Sequence, residues 1–301
     1  MSLKFVERTI NPVLGEDDAQ AEGVLSPFEG ADEGGDALKV LGLPSANSMF
    51  AGRDVRADED AGPAVFASLT RVYQALQELV NDGRAWRFRI DHLAETDRKM
   101  LLDALGDGEV SVVITGVKGE GDVQISESVL PGVWKGRAET TEGTLGAEWI
   151  EVGAAPRALR ELAATRPRDT LPVETLTPPR GAMNVMSVLA EIKERAAEWQ
   201  PGVPNHVFNF TLFPMSPADS AFLAKTLGES GVRVSSGGYG AARVIMTGIK
   251  NVWAVQYLNG LGTVILDTIE VGDVPDAVLA SQEDFEDSAD RLSNIVEAYS
   301  K

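Results

Sequence analysis

The sequence predicts an α+β fold built as a tandem repeat of two similar domains, each with a helix, a strand, a helix, three strands and a short helix. Residues 105–112 resemble residues 227–234, which follow 122 positions later. Residues 150–153 resemble residues 269–272, which follow 119 positions later. Matched segments that keep their order, with one small length change between them, indicate an internal duplication.

The elements of each predicted domain follow from the spacing of their apolar residues. One apolar helix face between residues 64 and 80 has a counterpart from 185 to 199. Alternating apolar residues predict a strand near Phe88 and a corresponding strand near Phe208. A second helix ends at Gly106, and its counterpart starts at Ser216, a suitable cap, and stops at Gly228. Three strand-like segments follow, at 110–114, 125–134 and 148–152.

The connections between these elements predict the kind of sheet. The pair Asn259-Gly260 lies between two strand-like segments and is a strong signal for an antiparallel hairpin. A strand, a helix and a strand in succession suggest a right-handed crossover onto one sheet. We therefore expect a mixed sheet in each domain, with antiparallel hairpins.

Composition sets the expected domain boundaries. Between Glu16 and Asp60 there are twelve acidic and three basic residues with no apolar period beside them. Residues 1–62 are therefore expected to form a flexible, acidic N-terminal arm, either disordered or ordered by a partner. The first repeat is placed at 63–165, a proline-rich linker at 166–181, and the second repeat with a C-terminal helix at 182–301.

Charge and residue usage exclude several functions. The formal net charge of −19 disfavours binding to nucleic acid or to anionic membrane surfaces. No apolar run approaches the roughly 20 residues that a membrane-spanning helix needs. The start of the sequence lacks the apolar core of a signal peptide, so we expect a cytoplasmic protein. The sequence contains no cysteine, which excludes thiol catalysis and metal clusters held by its own thiolates.

Five residues are candidates for contacts with a partner. Trp134 and Trp253 occupy matched positions. They are interpreted either as core residues or as aromatic anchors of an interface. Glu151 and Glu270 also match, and each lies at the end of the last strand of its repeat. The ordinary interpretation is a solvated carboxylate at a strand end, and the alternative is a role in acid–base chemistry. Tyr239 lies in a glycine-rich loop of the second repeat.

No pattern of residues predicts catalysis, a cofactor or a metal. His92 and His206 are the two histidines. Asp91 and Glu95 lie near His92 in the sequence, where a surface ion cluster is the ordinary interpretation, and neither histidine is expected to bind a metal. The glycine-rich loop at 235–240 lacks the Gly-Lys-Ser/Thr ending of a phosphate-binding loop, so a hairpin loop is expected there.

Several motifs in a fixed order carry a family resemblance. They are the segments 105–112, 132–134, 214–216 leading to Asp219, 238–240, 252–253, 278–280 and 287–293. With them, the chain from about residue 64 to 296 resembles the HupH/HyaF family of hydrogenase expression/formation proteins, whose C-terminal module occurs in tandem.

The resemblance implies a non-catalytic assembly chaperone for an uptake [NiFe] hydrogenase. The expected client is the small-subunit precursor before its export, and the expected co-worker is a thioredoxin-fold chaperone of the HupG/HyaE type. Because that precursor carries a twin-arginine signal, a strongly acidic protein would be steered toward it. Two alternatives are a small-ligand-binding protein or enzyme, with a cleft between the repeats lined by Glu151 and Glu270, and a purely structural oligomer.

Overall fold

The computed structural model describes residues 62–116, 121–165, 169–213, 215–237 and 241–299. The acidic arm expected at residues 1–62 therefore lies outside the described residues, apart from Gly62. The helices are α1 (Pro63–Asp82), α2 (Glu95–Leu105), α3 (Arg157–Thr165), α4 (Val185–Glu198), α5 (Pro217–Leu227) and α6 (Gln282–Tyr299), with short 3-10 turns at Val173–Thr175 and Asp276–Val278. The strands are β1 (Trp86–Arg89), β2 (Val110–Ile114), β3 (Val123–Glu127), β4 (Val133–Glu139), β5 (Leu145–Val152), β6 (His206–Asn209), β7 (Glu229–Ser236), β8 (Ala242–Thr247), β9 (Val252–Leu258) and β10 (Val264–Val271).

These strands form one continuous sheet in the order β1-β5-β4-β3-β2-β7-β8-β9-β10-β6. The first five strands of the chain make one half of the sheet and the last five make the other half. The halves meet where β2 pairs with β7, from Val110 opposite Ser236 to Ile114 opposite Val232. The order of strands in the second half mirrors the order in the first half across this junction.

The prediction of a mixed sheet in each domain is wrong, because all strand pairings in the described ranges are antiparallel. The helix α2 does carry the chain from β1 back onto the same sheet, and β1 and β2 point the same way. However, β5, β4 and β3 lie between them, so the crossover produces no parallel pair. The short strands β1 and β6 instead form the two outer edges.

Alternate residues along the strands divide the core between the two faces of the sheet. One face, called the α3 face below, carries a single apolar cluster that crosses both halves and is covered by α3 and the turn Asp276–Val278. The opposite face carries two clusters, one under α1, α2 and α6 in the first half and one under α4 and α5 in the second. Burial of both faces accounts for the long apolar runs in the central strands.

Segments outside the strands complete the core of each half, and one of them comes from beyond the other half in the chain. Phe285 and Leu292 of α6 are buried in the same cluster as Leu76 of α1, although α6 follows the second half. Leu171 and Val173, from the segment expected to be a linker, are buried in the cluster under α4. The described part of that segment is thus part of the core of the second half. The helix α6 thus ties the two halves to each other in addition to the shared sheet.

Gly136 in β4 allows the ring of Trp149 to lie directly on the neighbouring strand. A Cβ atom at Gly136 would lie 2.1 Å from Cε2 of Trp149. We expect Gly136→Ala to lower the free energy of unfolding by about 1 to 3 kcal/mol, as overpacking of a core does. Urea unfolding measures the loss, with Gly260→Ala as the control because a Cβ there meets nothing within 4 Å. Equal losses in the two variants would contradict this packing.

Candidate binding cavity

A cavity of about 540 Å³ opens on the α3 face of the second half, beside the edge strand β6. This volume lies in the range of ligand and side-chain binding pockets in proteins. Its walls combine apolar and acidic residues. The apolar side chains include Val203, Val207, Leu266 and Leu279, and the polar ones include Asn205, Tyr257, Glu270, Asp273 and Asp276.

Glu270 is the most deeply buried acid of the cavity, with 7% of its surface exposed. Burial raises the pKa of this carboxyl, a hydrogen bond from Asn205 opposes the rise, and the charge of Asp276 adds to it. The side-chain amide of Asn205 donates to Glu270 Oε2 at 3.3 Å and to the carbonyl oxygen of Asp273 at 3.0 Å. Asn205 fits there because residue 272 is glycine, since a Cβ at Gly272 would lie 1.9 Å from Asn205 Oδ1.

The other polar residues of the cavity differ in whether another side chain of the protein already bonds to them. Asp273 accepts from Nε of Arg160, on α3, at 3.1 Å to each carboxylate oxygen. Tyr257 is partly buried, and its pKa is raised by burial and by the charges of Glu270 and Asp276. Within the described residues, no cationic side chain forms an ion pair with Glu270 or Asp276. The cavity therefore presents two carboxyl groups and a phenol to an incoming group.

The corresponding place in the first half is filled by the chain itself. Glu151 lies opposite Arg87 in the pairing of β1 with β5, and it accepts the backbone N–H of Arg157, the first residue of α3, at 2.5 Å. The guanidinium carbon of Arg87 lies 4.0 Å from the centre of the Trp149 ring. Burial raises the pKa of Glu151, while the N–H of Arg157 and the charge of Arg87 oppose the rise.

The predicted pair Glu151 and Glu270 is not brought together by the fold. Glu151 lies on β5 and Glu270 on β10, seven strand spacings apart in the sheet, or roughly 30 Å. The alternative of one cleft between the repeats, lined by both residues, is therefore wrong. The matched glutamates have different surroundings, because α3 begins over Glu151 whereas a short turn at Asp276–Val278 stands near Glu270.

Both candidate tryptophans lie in the core of the α3 face. Trp134 and Trp253 have no exposed surface. The indole N–H of Trp134 donates to the carbonyl of Gly153 at 2.8 Å, and that of Trp253 donates to the carbonyl of Gly272 at 3.4 Å. A partner that docks on the folded surface cannot reach either ring, so the structure agrees with their interpretation as core residues. Tyr239 lies outside the described residues.

Sequence reasoning missed Asn205, Tyr257 and Asp276. The sequence signal for them is a difference between the two halves, and not a match. The segment after Pro156 has the apolar spacing of a helix and forms α3, whereas the segment after Pro275 forms a single turn. That turn leaves the second half open where α3 closes the first.

The described residues contain neither a metal-ion cluster nor a helix that could span a membrane. No group of three or more His, Cys, Asp or Glu side chains there is placed to hold a metal ion. None of the described helices is long and apolar enough to cross a membrane. His206 has its Nε2 atom 3.3 Å from the carboxylate of Glu191 on α4, on the opposite face of the sheet from the cavity.

Comparison with known sequences identifies the family. The sequence model of the "HupH hydrogenase expression protein, C-terminal conserved region" matches this chain twice, at residues 64–167 and 182–299. The chain belongs to the HupH family. The resemblance inferred from the motifs is thereby confirmed, and the two matches contain the strands of the two halves of the sheet.

Curated HupH-family relatives cover most of the chain. The hydrogenase expression/formation protein HupH of Rhizobium leguminosarum bv. viciae is 43% identical over 75% of this chain and 78% of its own length. HoxQ of Cupriavidus necator, also described as a hydrogenase expression/formation protein, is 39% identical over 78% of this chain and 83% of its own. The hydrogenase-1 operon protein HyaF of Escherichia coli is 31% identical over 77% and 80%.

Proposed function

We propose that this chain acts in the expression and assembly of a [NiFe] hydrogenase as a non-catalytic binding protein. The observation that carries the proposal is family membership, because the three relatives above are named as hydrogenase expression/formation or hydrogenase operon proteins. The absence of cysteine from the sequence fits a protein that assists a metalloenzyme without holding a cluster on its own thiolates.

The proposed client is the small-subunit precursor of an uptake hydrogenase, bound in the cytoplasm before export. A thioredoxin-fold chaperone of the HupG/HyaE type is the proposed co-worker. The net charge of −19 supports this proposal, since an acidic protein attracts a basic segment at a distance. Exposed apolar residues beside the acidic cavity support it as well, because a segment that is not yet folded presents apolar side chains.

We also propose that the two halves derive from a duplication and serve one binding surface. The mirrored strand order and the double family match support this origin. The shared sheet, the packing of Phe285 on the first half and the burial of Leu171 from the expected linker segment favour a rigid body over two domains on a flexible linker. A rigid surface loses less conformational entropy when it binds a mobile client.

A second candidate is a small-ligand-binding protein, and the cavity beside Glu270 favours it. Its volume and its converging acidic groups are features of ligand sites. A small ligand held there would raise the unfolding temperature in a manner that depends on ligand concentration. A thermal-shift screen of neutral, anionic and cationic metabolites tests this candidate.

Deleting the protein from its host tests the assembly function. We expect hydrogenase activity to fall and the unprocessed small subunit to accumulate, while the large subunit reaches its normal level. The measurement combines uptake activity with immunoblots of both subunits, and restoring the gene provides the control. Undiminished activity with normal processing of the small subunit would contradict an assembly role.

A further inference from the structure

We propose that the cavity beside Glu270 binds the guanidinium group of an arginine in an extended segment of the protein that this chain assists. The inference deepens the proposed function, since it names the chemistry of recognition and depends on that function for the identity of the partner. The cavity itself is a property of this chain and can be tested separately.

The first half shows what a guanidinium does at this place in the fold. In the register of β1 and β5, Arg87 lies directly opposite Glu151. Its guanidinium stacks on Trp149, with 4.0 Å from the guanidinium carbon to the ring centre, and its charge opposes the rise that burial causes in the pKa of Glu151. An edge-strand cation therefore lies across from the carboxylate in the last strand of that half, close enough for its charge to act on that carboxylate.

The second half has the carboxylate and the space but a different edge strand. In the register of β6 and β10, the residue opposite Glu270 is Val207, which has no charge. Thr268 occupies the position on β10 that Trp149 has on β5, opposite Val255 where Trp149 is opposite Gly136. The large ring of the first half has no counterpart, and the space remains open as the cavity.

The acceptors in this cavity suit a guanidinium. The carboxylate of Glu270 makes a single hydrogen bond to a described residue, from Asn205 at 3.3 Å, although two carboxylate oxygens can accept about four. Asp276 supplies a second carboxylate at the rim. A planar guanidinium can bond several oxygens at once, and its weaker hydration suits apolar walls such as Val207 and Leu266 better than an ammonium does.

The surroundings favour an arginine that is part of a peptide over a free cation. β6 is the outermost strand on its side of the described sheet, so an extended segment can lie along it. Val203 and Val207 at the cavity are 52% and 50% exposed, and Leu212, three residues beyond β6, is 82% exposed. Apolar residues next to the arginine would cover these side chains.

Three short peptides test the chemistry directly. They are acetylated, amidated Ala-Leu-Xaa-Leu-Ala sequences in which Xaa is arginine, lysine or the neutral isostere citrulline. We expect the full-length chain to bind the arginine peptide about tenfold or more tightly than the citrulline peptide, and lysine to be intermediate. Titration calorimetry gives the affinities. Equal affinity for arginine and citrulline would overturn the proposal.

Two acidic variants locate the site. Glu270→Gln should weaken binding of the arginine peptide about tenfold or more, because it removes the buried charge. Glu142→Gln changes the net charge by the same amount in an exposed turn of the first half and should leave the affinity unchanged. Equal effects of the two substitutions would mean that overall charge governs binding and would overturn the assignment to the cavity.

A variant of the edge strand tests the parallel with Arg87. Val207→Arg would place a guanidinium opposite Glu270, as Arg87 stands opposite Glu151, and should compete with the arginine peptide. Val207→Gln, which introduces a shorter polar side chain without the charge, should keep most of the affinity. Because Val207 is half exposed, both variants should fold, which thermal unfolding followed by circular dichroism checks. Equal losses of peptide affinity in the two variants would show that the introduced charge is not what competes, and would overturn the parallel with Arg87.

Failure of the inference can be distinguished from failure of the proposed function. If Glu270→Gln loses the arginine peptide but still captures the hydrogenase precursor as the unchanged chain does, the cavity is not the place where the client is recognised, and the assembly function stands. If the unchanged chain binds the arginine peptide as expected but captures no hydrogenase subunit, the proposed function fails and the chemistry of the cavity stands.

Discussion

Asp219→Asn should lower the free energy of unfolding by about 3 kcal/mol at pH 7, because Asp219 is the buried acceptor that joins the starts of α4 and α5. Its Oδ1 atom accepts the backbone N–H groups of Met183 at 2.8 Å, Asn184 at 2.9 Å and Val185 at 3.0 Å. Its Oδ2 atom accepts the N–H of Ser216 at 3.0 Å and the hydroxyl at 2.7 Å. Asparagine replaces one of these two acceptor oxygens with an NH2 group. The N–H bonds of that group would then face N–H or O–H donors, which cannot accept them.

The effect of this substitution should depend on pH with a definite sign. Burial opposes ionisation of Asp219, but the hydrogen bonds from Ser216, Val185 and Asn184 outweigh it and hold the pKa at about 2. Because the folded-state pKa lies below the unfolded value of 3.8, the ionised carboxylate stabilises the fold above about pH 4. That stabilisation of about 2 kcal/mol is lost as the pH falls from 4 toward 2.

Urea unfolding at pH 7, 4 and 3 measures the difference between Asp219→Asn and the unchanged chain. Asp97→Asn is the matched control, since Asp97 is the third residue of α2 as Asp219 is the third residue of α5. α2 starts after Ala94 without a side-chain cap, whereas α5 starts with the reciprocal Ser216–Asp219 capping box. Equal losses in both variants, or a loss independent of pH, would contradict the role assigned to Asp219.

Glu127→Met should raise the free energy of unfolding by up to about 3 kcal/mol at pH 8 and change it little at pH 4. Burial raises the pKa of Glu127 to about 7, the N–H of Gly132 opposes the rise, and the charges of Asp284 and Glu109 add to it. Because the folded-state pKa lies above the unfolded value of 4.5, ionisation destabilises the fold. This cost is absent below pH 4.5, grows as the pH rises to 7 and is complete above that.

Methionine is the replacement that the second half already uses at this place. Glu127 lies opposite Trp134 in the pairing of β3 with β4, and Met246 lies opposite Trp253 in the pairing of β8 with β9. Met246 is buried on the α3 face, so a methionine at 127 has a side chain of suitable size for that face. Glu142→Met, in an exposed turn, should show no such pH dependence. If Glu127→Met raised the free energy of unfolding by the same amount at pH 4 and pH 8, the explanation by a buried charge would be contradicted.

The sequence predicts individual elements better than their partners in the sheet. The first helix is expected between residues 64 and 80 and runs from 63 to 82 in the structure, because its apolar spacing reflects one buried face. Alternation also finds β1 near Phe88. However, alternation shows which face of a strand is buried and not which strand lies beside it. The position of β1 next to β5, and hence the antiparallel sheet, could not be predicted from it.

The packing of α6 on the other half, and the differences between the two halves, lay beyond the sequence patterns. The apolar face of α6 does not indicate which half it covers, so its packing through Phe285 and Leu292 on the first half was not foreseen. Matched residues such as Glu151 and Glu270 were found because they are alike. The cavity arises from unlike residues at matched positions, such as Thr268 for Trp149, and comparing the halves for differences would have predicted it.

Capture of the small-subunit precursor by the tagged, full-length chain tests the proposed function most directly. The experiment compares precursor with mature small subunit at about 50 and 500 mM salt, between which screening of exposed charges increases strongly. We expect the precursor to be retained, the mature subunit to be lost in washing, and retention of the precursor to fall at the higher salt concentration. Retention of neither form, or equal retention of both at both salt concentrations, would contradict the proposal.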